Sequence, residues 1–428
     1  MKNKTINIII IVLINILFIT KIYNQKCFNK YNDLLWLTAI LLLTITSIYF
    51  MVKLKFKQFN IINIIKSLRG SNFNSLFVSL GAKIGVGCIS GIAIAIYLAG
   101  PGVILWLWIS SIIFSIMTYC ESYLGVVYKK GAFNYIQNGL NNKLLSLIYT
   151  IILILSYVIG FIGIQSNTIV KSIHYTSNIN KISIVLILIV IVSIILFKSL
   201  DKILNFISKL VPLMCILYIL LGGIIMFINI DKIPSIINNI IIDALTIKTS
   251  IKSIIIIGIQ RSIFATESGI GTTSIAGAIS KNNPSKEAMF QVFGVYFTSL
   301  IICTITAIIV LTNDYGIFIK NINGIEIVMN IFYKYLGPLG SISLILIIFL
   351  FAISTIISGY YYGVSALEFI DKKRNNTHIL LFKTIIIIII FIGGIINSSI
   401  IWSIVDTFIL YLLLINTYAI IKLRHKIK

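Results

Sequence analysis

The stretch QRSIFATESGIG, residues 260–271, sets Arg261, Glu267, Gly269 and Gly271 between SIIIIGI and an equally apolar continuation. Charged side chains inside an apolar span are costly, and where they persist they are usually paired or functional. Arg261 and Glu267 lie six residues apart. That is not an i, i+4 pair, so one regular helix does not bridge them. Glycines weaken a helix at this point. A broken helix frees backbone N–H groups for a carboxylate and carbonyls for a cation. Glu267 therefore reads either as an acceptor of N–H groups from the broken backbone or as a tie between helices. Arg261 is placed at the extracellular mouth. A second stretch, GAKIGVGCISG (81–91), repeats the pattern with Lys83, Gly85, Gly87 and Cys88. Lys83 is read as a basic residue near the cytoplasmic side, in preference to a buried ammonium that moves a proton.

Other polar residues stand in apolar surroundings. GFIGIQSNTIV (160–170) carries Gln165 and Asn167. An amide at membrane depth bonds either a neighbouring helix or a substrate. Ser354 and Thr355 are adjacent hydroxyls, and such residues most often bond a carbonyl of their own helix. Glu121, Glu368 and Asp406 fall near the ends of apolar runs and are expected to pair with basic loop residues. His174, His378 and His425 lie in loops or the tail. No Ser–His–Asp set, phosphate-binding loop or metal-ligand spacing is present in the sequence, so neither an enzyme nor an ATP-driven pump is supported.

The elements that must position these residues follow from composition. Of 428 residues, 58% are hydrophobic and 11% charged, against about 25% charged in soluble domains. Apolar runs long enough for a bilayer of about 30 Å recur along the chain. They predict spans near 5–22, 34–54, 74–98, 101–128, 144–171, 183–200, 204–229, 254–279, 286–312, 338–370, 378–396 and 399–421. Segments 234–247 and 316–333 read as short surface helices. The first span has a long apolar region and no A-x-A site, so it is read as a retained anchor rather than a signal peptide.

The net charge of +23 sits in short loops rather than on one polyanion-binding face, so nucleic acid is not an expected partner. With the N-terminus inside, 21 Lys/Arg fall on the cytoplasmic side and 10 outside. That ratio follows the positive-inside rule. It predicts a multi-pass cell-membrane protein in the lipid bilayer with a cytoplasmic C-terminus. Five cysteines, four of them in apolar runs, make no disulfide framework.

Each glycine-interrupted span opens a block of five spans, 74–229 and 254–421. Five is odd, so the second block enters the membrane from the opposite side. The prediction is an all-α helix bundle with a 5+5 inverted repeat and two broken helices. The flanking segments are 1–73 (one or two extra N-terminal helices and a basic segment), an extracellular connector 230–253 and a basic tail 422–428. Discontinuous helices at matching positions point to a transporter's midplane site. The plainer alternative is glycine for close helix packing.

At these residues the chain resembles the alanine/glycine:cation symporter family over roughly 45–420. SLGAKIGVGCISGIAIAIYLAGPGVILWLW resembles the family's G-T-G-N-I-A-G-V-A stretch followed by G-G-P-G and W-M-W. RSIFATESGIGTTSIAGA resembles R-G-L-F-S-N-E-A-G-M-G, carrying Arg261, Phe264, Glu267, Gly269 and Gly271. FAISTIISGYYYGVSALEFI (351–370) resembles F-A-F-S-T-I-L-G-W-Y-Y-Y-G. The stretches around Glu121, around Pro212, and at Trp402, Asp406 and Asn416 also fall where the family has similar motifs.

The resemblance implies the leucine-transporter-type fold and symport of a small neutral amino acid, alanine or glycine foremost, with Na⁺ as coupling ion and no other cofactor. It implies a substrate carboxylate at freed N–H groups near Gly87 and Cys88. The amine would meet carbonyls and side chains around Phe264–Thr266, with Gln165, Thr355 and Gly359 also lining the site. Gly85, Ser354 and Thr355 would serve the cation, and Asn167 would join helices. Glu267, Gly269, Gly271 and Arg261 would shape and gate the break. The chain departs from the family pattern at Val86, Cys88, Thr298, Ser358 and Gly359. A thiol is a poor ligand for a hard cation, and Gly359 in place of a large aromatic predicts a roomier cavity. Proton coupling, a larger neutral amino acid, or a non-transporting, sensor-like relative are the alternatives. The sequence leaves the oligomeric state open.

Overall fold

The computed structural model describes residues 25–69, 73–246, 251–313, 324–371 and 376–428. The expected first span, 5–22, lies outside the described residues, as do 314–323 and 372–375. Every regular element among the described residues is helical.

The helix α1 (Gln25–Lys53) leads through a short turn to the amphipathic α2 (Ile61–Leu68). The first broken span is α3 (Asn74–Lys83) and α4 (Ser90–Ala99). Then follow α5 (Val103–Tyr128), the short α6 (Ala132–Gly139), α7 (Lys143–Ser177), α8 (Lys181–Leu196) and α9 (Leu200–Ile228). A surface helix, α10 (Ile233–Leu245), connects to the second broken span, α11 (Ile251–Thr266) and α12 (Thr273–Gly277). The chain closes with α13 (Pro284–Leu311), α14 (Gly324–Ile370, broken at Gly337), α15 (Asn376–Ile395) and α16 (Ser398–Lys422).

Local chemistry sets many of these boundaries. Asn142, Asn180 and Asn283 accept backbone N–H bonds at the starts of α7, α8 and α13, as capping requires. Gly337, at φ 63°, separates the surface helix from the long span of α14. Among the described residues, eight helices are long and apolar enough to cross a membrane, and α3 with α4 makes a further span bent by 55°. The shorter α8 and the broken α11–α12 complete five elements in each half. Both α7 and α13 contain a π-helical stretch, at Ser156–Phe161 and Phe297–Cys303.

Two packed groups result. In one, α5 lies against α11, α12 and α13; in the other, α7 lies against α14 and α15, with α8 behind. Between them, α3 touches α14 of one group and α12 and α13 of the other. The broken helices therefore sit where the two groups meet. Gly163 in α7 and Gly393 in α15 bring those backbones together: a Cβ on Gly393 would stand 2.8 Å from the Gly163 Cα.

Candidate functional site

The first break is a turn of tight helix between two half-helices. After Lys83, Ile84 leaves helical geometry, Gly85 is extended, and Val86–Cys88 forms one 3₁₀ turn. The expected free N–H at Cys88 is not free: it donates to the Gly85 carbonyl at 3.1 Å. The Val86 N–H, outside the helical ladder, donates to Gln165 Oε1 at 3.0 Å. Gln165, expected to meet the substrate, holds backbone at the break. Asn167 joins helices, donating to the Gly393 and Ile396 carbonyls at 2.8 Å each.

The eighth core helix reaches the same place. Ser354 and Thr355 direct their hydroxyls at the Gly81 carbonyl, at 3.3 and 3.0 Å, and at the Phe351 carbonyl, at 2.8 and 3.1 Å. The reading that such hydroxyls bond a carbonyl of their own helix holds, and each also bonds the first broken helix. The Ser358 Oγ is buried without a partner, 2.6 Å from where a Cβ on Gly81 would be. Two carbonyls and two hydroxyls thus converge, with Ser358 beside Gly81, a neutral all-oxygen set of the kind a hard cation takes. Gly85 lies beside it, because a Cβ there would stand 2.5 Å from Thr355 Oγ1 and 2.9 Å from Gln165 Nε2. No group of three or more His, Cys, Asp or Glu suited to a metal occurs among the described residues. Cys88 turns its thiol to the Lys83 carbonyl at 3.4 Å. Thr298 bonds the Gly294 carbonyl of its own helix.

The second break is left-handed. Glu267, Gly269 and Gly271 have φ of 53°, 90° and 93°, and glycine adopts such values without strain. Glu267 does not accept backbone N–H bonds, as one sequence reading had it. Its Oε1 accepts from the Tyr157 hydroxyl at 2.6 Å and its Oε2 from Thr272 at 2.8 Å. Glu121 takes that backbone role. It is buried deep in α5 instead of meeting a loop cation. Its Oε1 accepts from the Gly271 N–H at 3.0 Å and from Asn416 Nδ2 at 2.9 Å. Asn416 also donates to the Gly269 carbonyl at 2.8 Å, and Tyr149 donates to that of Ile270 at 2.7 Å. The last helical bond of α11 is Glu267 N–H to Ile263 O, so the break frees the carbonyls of Phe264–Thr266 from helical partners. The Thr266 hydroxyl returns to Ser262 O at 2.7 Å.

Lys83 is not at the cytoplasmic edge. It is 3% exposed, and its ammonium has no hydrogen-bond partner. It interacts electrostatically with Glu267 and Glu121, and Glu121 Oε2 is likewise unpartnered. One ammonium therefore faces two carboxylates in a region where Coulomb forces are poorly screened.

Above the breaks, on the face that carries α10, aromatic rings form a column. Tyr157 stacks on Phe161 at 4.7 Å between centroids, Phe161 on Phe264 at 5.0 Å, and Phe264 meets Trp402 at 4.9 Å. Phe264 covers Gly87 so closely that no Cβ fits there. The Arg261 guanidinium lies 4.5 Å over the Trp402 ring and 3.1 Å from the Asp406 carboxylate. Asp406 thus pairs with a span residue and not with a loop cation. The cleft beyond Trp402, lined by Ser90, Asn167, Lys171 and Ser398, holds about 10 Å³, room for about one water. On the opposite, lysine-rich face a cavity of about 230 Å³ adjoins α12 and the end of α14, reaching Lys130, Ile275, Tyr361 and Glu368.

Gly359 does not open a cavity. Tyr157 fills the space: a Cβ on residue 359 would stand 3.0 Å from Tyr157 Cδ1 and 3.7 Å from Ile162. Sequence reasoning missed Tyr157, Thr272 and Tyr149, whose roles depend on partners more than 100 positions away or on the shape of the break. Asn416 carried a signal in the motif around it but no role, and Glu121 carried the wrong one, a pairing with loop cations in place of Gly271 and Asn416.

The model of the family described as the sodium:alanine symporter family matches residues 20–428. The chain is similar to the amino-acid carrier protein AlsT of Bacillus subtilis, 29% identical over 92% of this chain and 88% of that protein. It is 30% identical to the probable sodium/glutamine symporter GlnT of Bacillus subtilis, over 91% of this chain and 86% of the relative. The sodium/alanine symporter AgcS of Methanococcus maripaludis is 24% identical over 89% and 90%. Among solved structures, that of MhsT in complex with L-phenylalanine superposes with a TM-score of 0.61 at 14% identity, covering 82% of this chain and 88% of the other. That likeness supports the fold.

Proposed function

The chain belongs to the sodium:alanine symporter family, and from this premise we propose that it imports a small neutral amino acid, alanine or glycine foremost, with Na⁺ by alternating access. The observation that carries the reading is the oxygen cluster at the first break. Gly81 O, Phe351 O, Ser354 Oγ and Thr355 Oγ1 converge there, bridging α3 and α14. α14 belongs to the group built on α7, while α3 packs against both groups. A cation shared between α3 and α14 favours the arrangement in which they touch, and its differential affinity is what couples ion to motion.

Lys83 stands with two carboxyl groups, Glu121 and Glu267, so the second carboxyl is offset either by a proton or by one Na⁺ nearby. The substrate sits between the breaks. Its amine meets the freed carbonyls of Phe264–Thr266 and its carboxylate meets the turn at Gly87. For entry, Phe264 must swing off Gly87. The Arg261–Asp406 pair and the aromatic column close the α10 face, while the larger cavity lies on the lysine-rich face. This arrangement corresponds to a state shut toward the outside, and the lysine-rich face with the C-terminus is assigned to the cytoplasm.

The test is uptake by purified protein in liposomes. Radiolabelled alanine should accumulate only under an inward Na⁺ gradient, and glycine should compete. Equal accumulation driven by a proton gradient in Na⁺-free buffer would replace Na⁺ with H⁺ in this reading, since a proton on either glutamate balances the cluster equally well. Displacement of alanine by glutamine but not by glycine would move the substrate to the larger class named for the relative GlnT. No uptake of any amino acid would leave the non-transporting alternative.

A further inference from the structure

On the lysine-rich face a second cavity, of about 330 Å³, is built from elements that the transport reading does not use. Its charged lining is Lys57 before α2, Lys66 on α2 and Lys286 at the start of α13; Asn63, Ser285 and the Tyr119 hydroxyl add further polar groups, and none of the lining residues is acidic. Two of the ammonium groups are already held in place. Lys57 Nζ donates to Tyr119 OH at 3.1 Å and lies 5.4 Å from that ring's centroid. Lys286 Nζ donates to the Arg69 carbonyl at 2.9 Å. Neither bond neutralises the charge, because both acceptors are uncharged.

The wall of this cavity is also a membrane-surface element. α2 turns Ile64 inward at 3% exposure, while Ile61, Ile62 and Ile65 are 65, 67 and 53% exposed. Phe56 and Phe59, on the turn before it, are about half exposed as well. A short helix with an apolar outward face and lysine at its edge lies in the headgroup region of a bilayer. The cavity opens beside it, at the end of α1 and the start of α13, where the spans leave the bilayer.

We propose that this cavity is a binding site for the headgroup phosphate of an anionic phospholipid of the leaflet on the lysine-rich face, its acyl chains lying along the apolar surface of α2. The three lysines outnumber the one anionic group beside them, the terminal carboxylate of Lys428, whose oxygen accepts from the Tyr119 hydroxyl at 3.0 Å, and the remaining positive charge suits a headgroup of net negative charge. They disfavour a zwitterionic one, whose own ammonium would face the same cluster. Basic pockets between spans on this side are suited to such headgroups, each lysine contributing about fivefold in affinity. A soluble phosphate shares the chemistry at the headgroup but gains nothing from Ile61, Ile62 and Ile65.

The test is native mass spectrometry of the full chain released from nanodiscs containing equal phosphatidylglycerol and phosphatidylcholine, with Lys57→Gln/Lys66→Gln/Lys286→Gln beside the wild type. The wild type should carry one retained phosphatidylglycerol, and the triple variant should lose it by about a hundredfold. A control, Lys129→Gln/Lys130→Gln, removes charge from the same face outside this cavity and should retain the lipid. Equal retention of both lipids, or equal loss in the control, would overturn the site. Complete displacement by millimolar inorganic phosphate would show a soluble-anion site and overturn the lipid assignment. Lys66→Gln alone, at an exposed position, covers the case of a triple variant that fails to fold: it should weaken retention about fivefold, and unchanged retention would count against the proposal.

Discussion

Tyr157 occupies the space that Gly359 leaves empty: its Cδ1 stands 3.0 Å from the Cβ position of residue 359, while its hydroxyl donates to Glu267 at 2.6 Å. The missing large side chain on one helix is replaced by a ring from another. That ring also carries a hydrogen bond to the second break, so bulk and polarity at this point come from the same residue. Gly359→Trp is therefore expected not to narrow substrate choice but to displace Tyr157 and abolish uptake while the protein still reaches the membrane. Tyr157→Ala in the same chain should restore part of the uptake. The check is alanine uptake normalised to membrane abundance, and no restoration in the double variant would refute the exchange.

Glu267→Gln keeps the shape and removes the charge that two hydroxyls, of Tyr157 and Thr272, address. Hydrogen bonds to a charged group contribute about 1.5–3 kcal/mol, so uptake should fall about tenfold or more. Insertion and expression should hold. Normal uptake at normal abundance would make the carboxylate's charge dispensable.

Lys83 and the two glutamates should be coupled energetically. Removing one partner of a buried charge set costs about 3–5 kcal/mol because a charge is left uncompensated. Lys83→Met leaves both carboxylates uncompensated and should lower the thermal midpoint in detergent; Glu267→Gln leaves Lys83 opposite Glu121 and should lower it less, and the double variant should lie above the sum of the two losses. Strict additivity would show that the ammonium does not act on Glu267.

Thr355→Ala removes one of the hydroxyls directed at the Gly81 carbonyl. The Na⁺ concentration for half-maximal uptake should rise about tenfold, with the maximal rate at saturating Na⁺ less affected. A shift confined to alanine's half-saturation would reassign the hydroxyl to the substrate.

Asp406→Asn weakens the pairing that holds Arg261 over Trp402. Cys88 is fully buried beneath the aromatic column and serves as a reporter of outer opening. A membrane-impermeant thiol reagent applied from the α10 face should label it several-fold faster in the variant, read by peptide mass spectrometry. An unchanged rate would mean that the pair does not restrain the outer closure.

Much of the fold was legible because its signals are local. Apolar run length marked the spans, and glycine with charge marked both breaks. The oxygen cluster was half legible, since Ser354 and Thr355 stand next to each other in the sequence while the carbonyl that completes it is Gly81, far off in the chain. Lys83 was misplaced for an avoidable reason. α3 starts at Asn74, and at 1.5 Å per residue Lys83 is about 14 Å deep, near the middle of a 30 Å core. The same arithmetic puts Glu121, seven residues before the end of α5 at Tyr128, about 10 Å inside. What could not be read is the partner each carboxylate finds, because Glu121 meets Gly271 and Glu267 meets Tyr157 only after the two halves have packed. The room expected at Gly359 failed for the same reason, since a glycine in sequence says nothing about which neighbour fills its space.

The π-helical stretch at Ser156–Phe161 has a consequence for how this gene can vary. Such a stretch holds one residue more than an α-helix of the same turn would. Losing a single codon there would remove that extra residue and leave a regular α-helix, with no gap in the hydrogen-bond ladder and the residues beyond it close to their original faces. Gln165 would stay near Val86 and Asn167 near α15, while the side chains of the stretch itself, Tyr157 and Phe161 among them, would lose their placement. A one-residue deletion in the regular parts of the same helix would instead rotate everything after it by about 100° about the axis. Where a relative lacks one residue in this helix, the loss should therefore fall in this stretch, together with a change of the residues that meet Glu267 and Phe264.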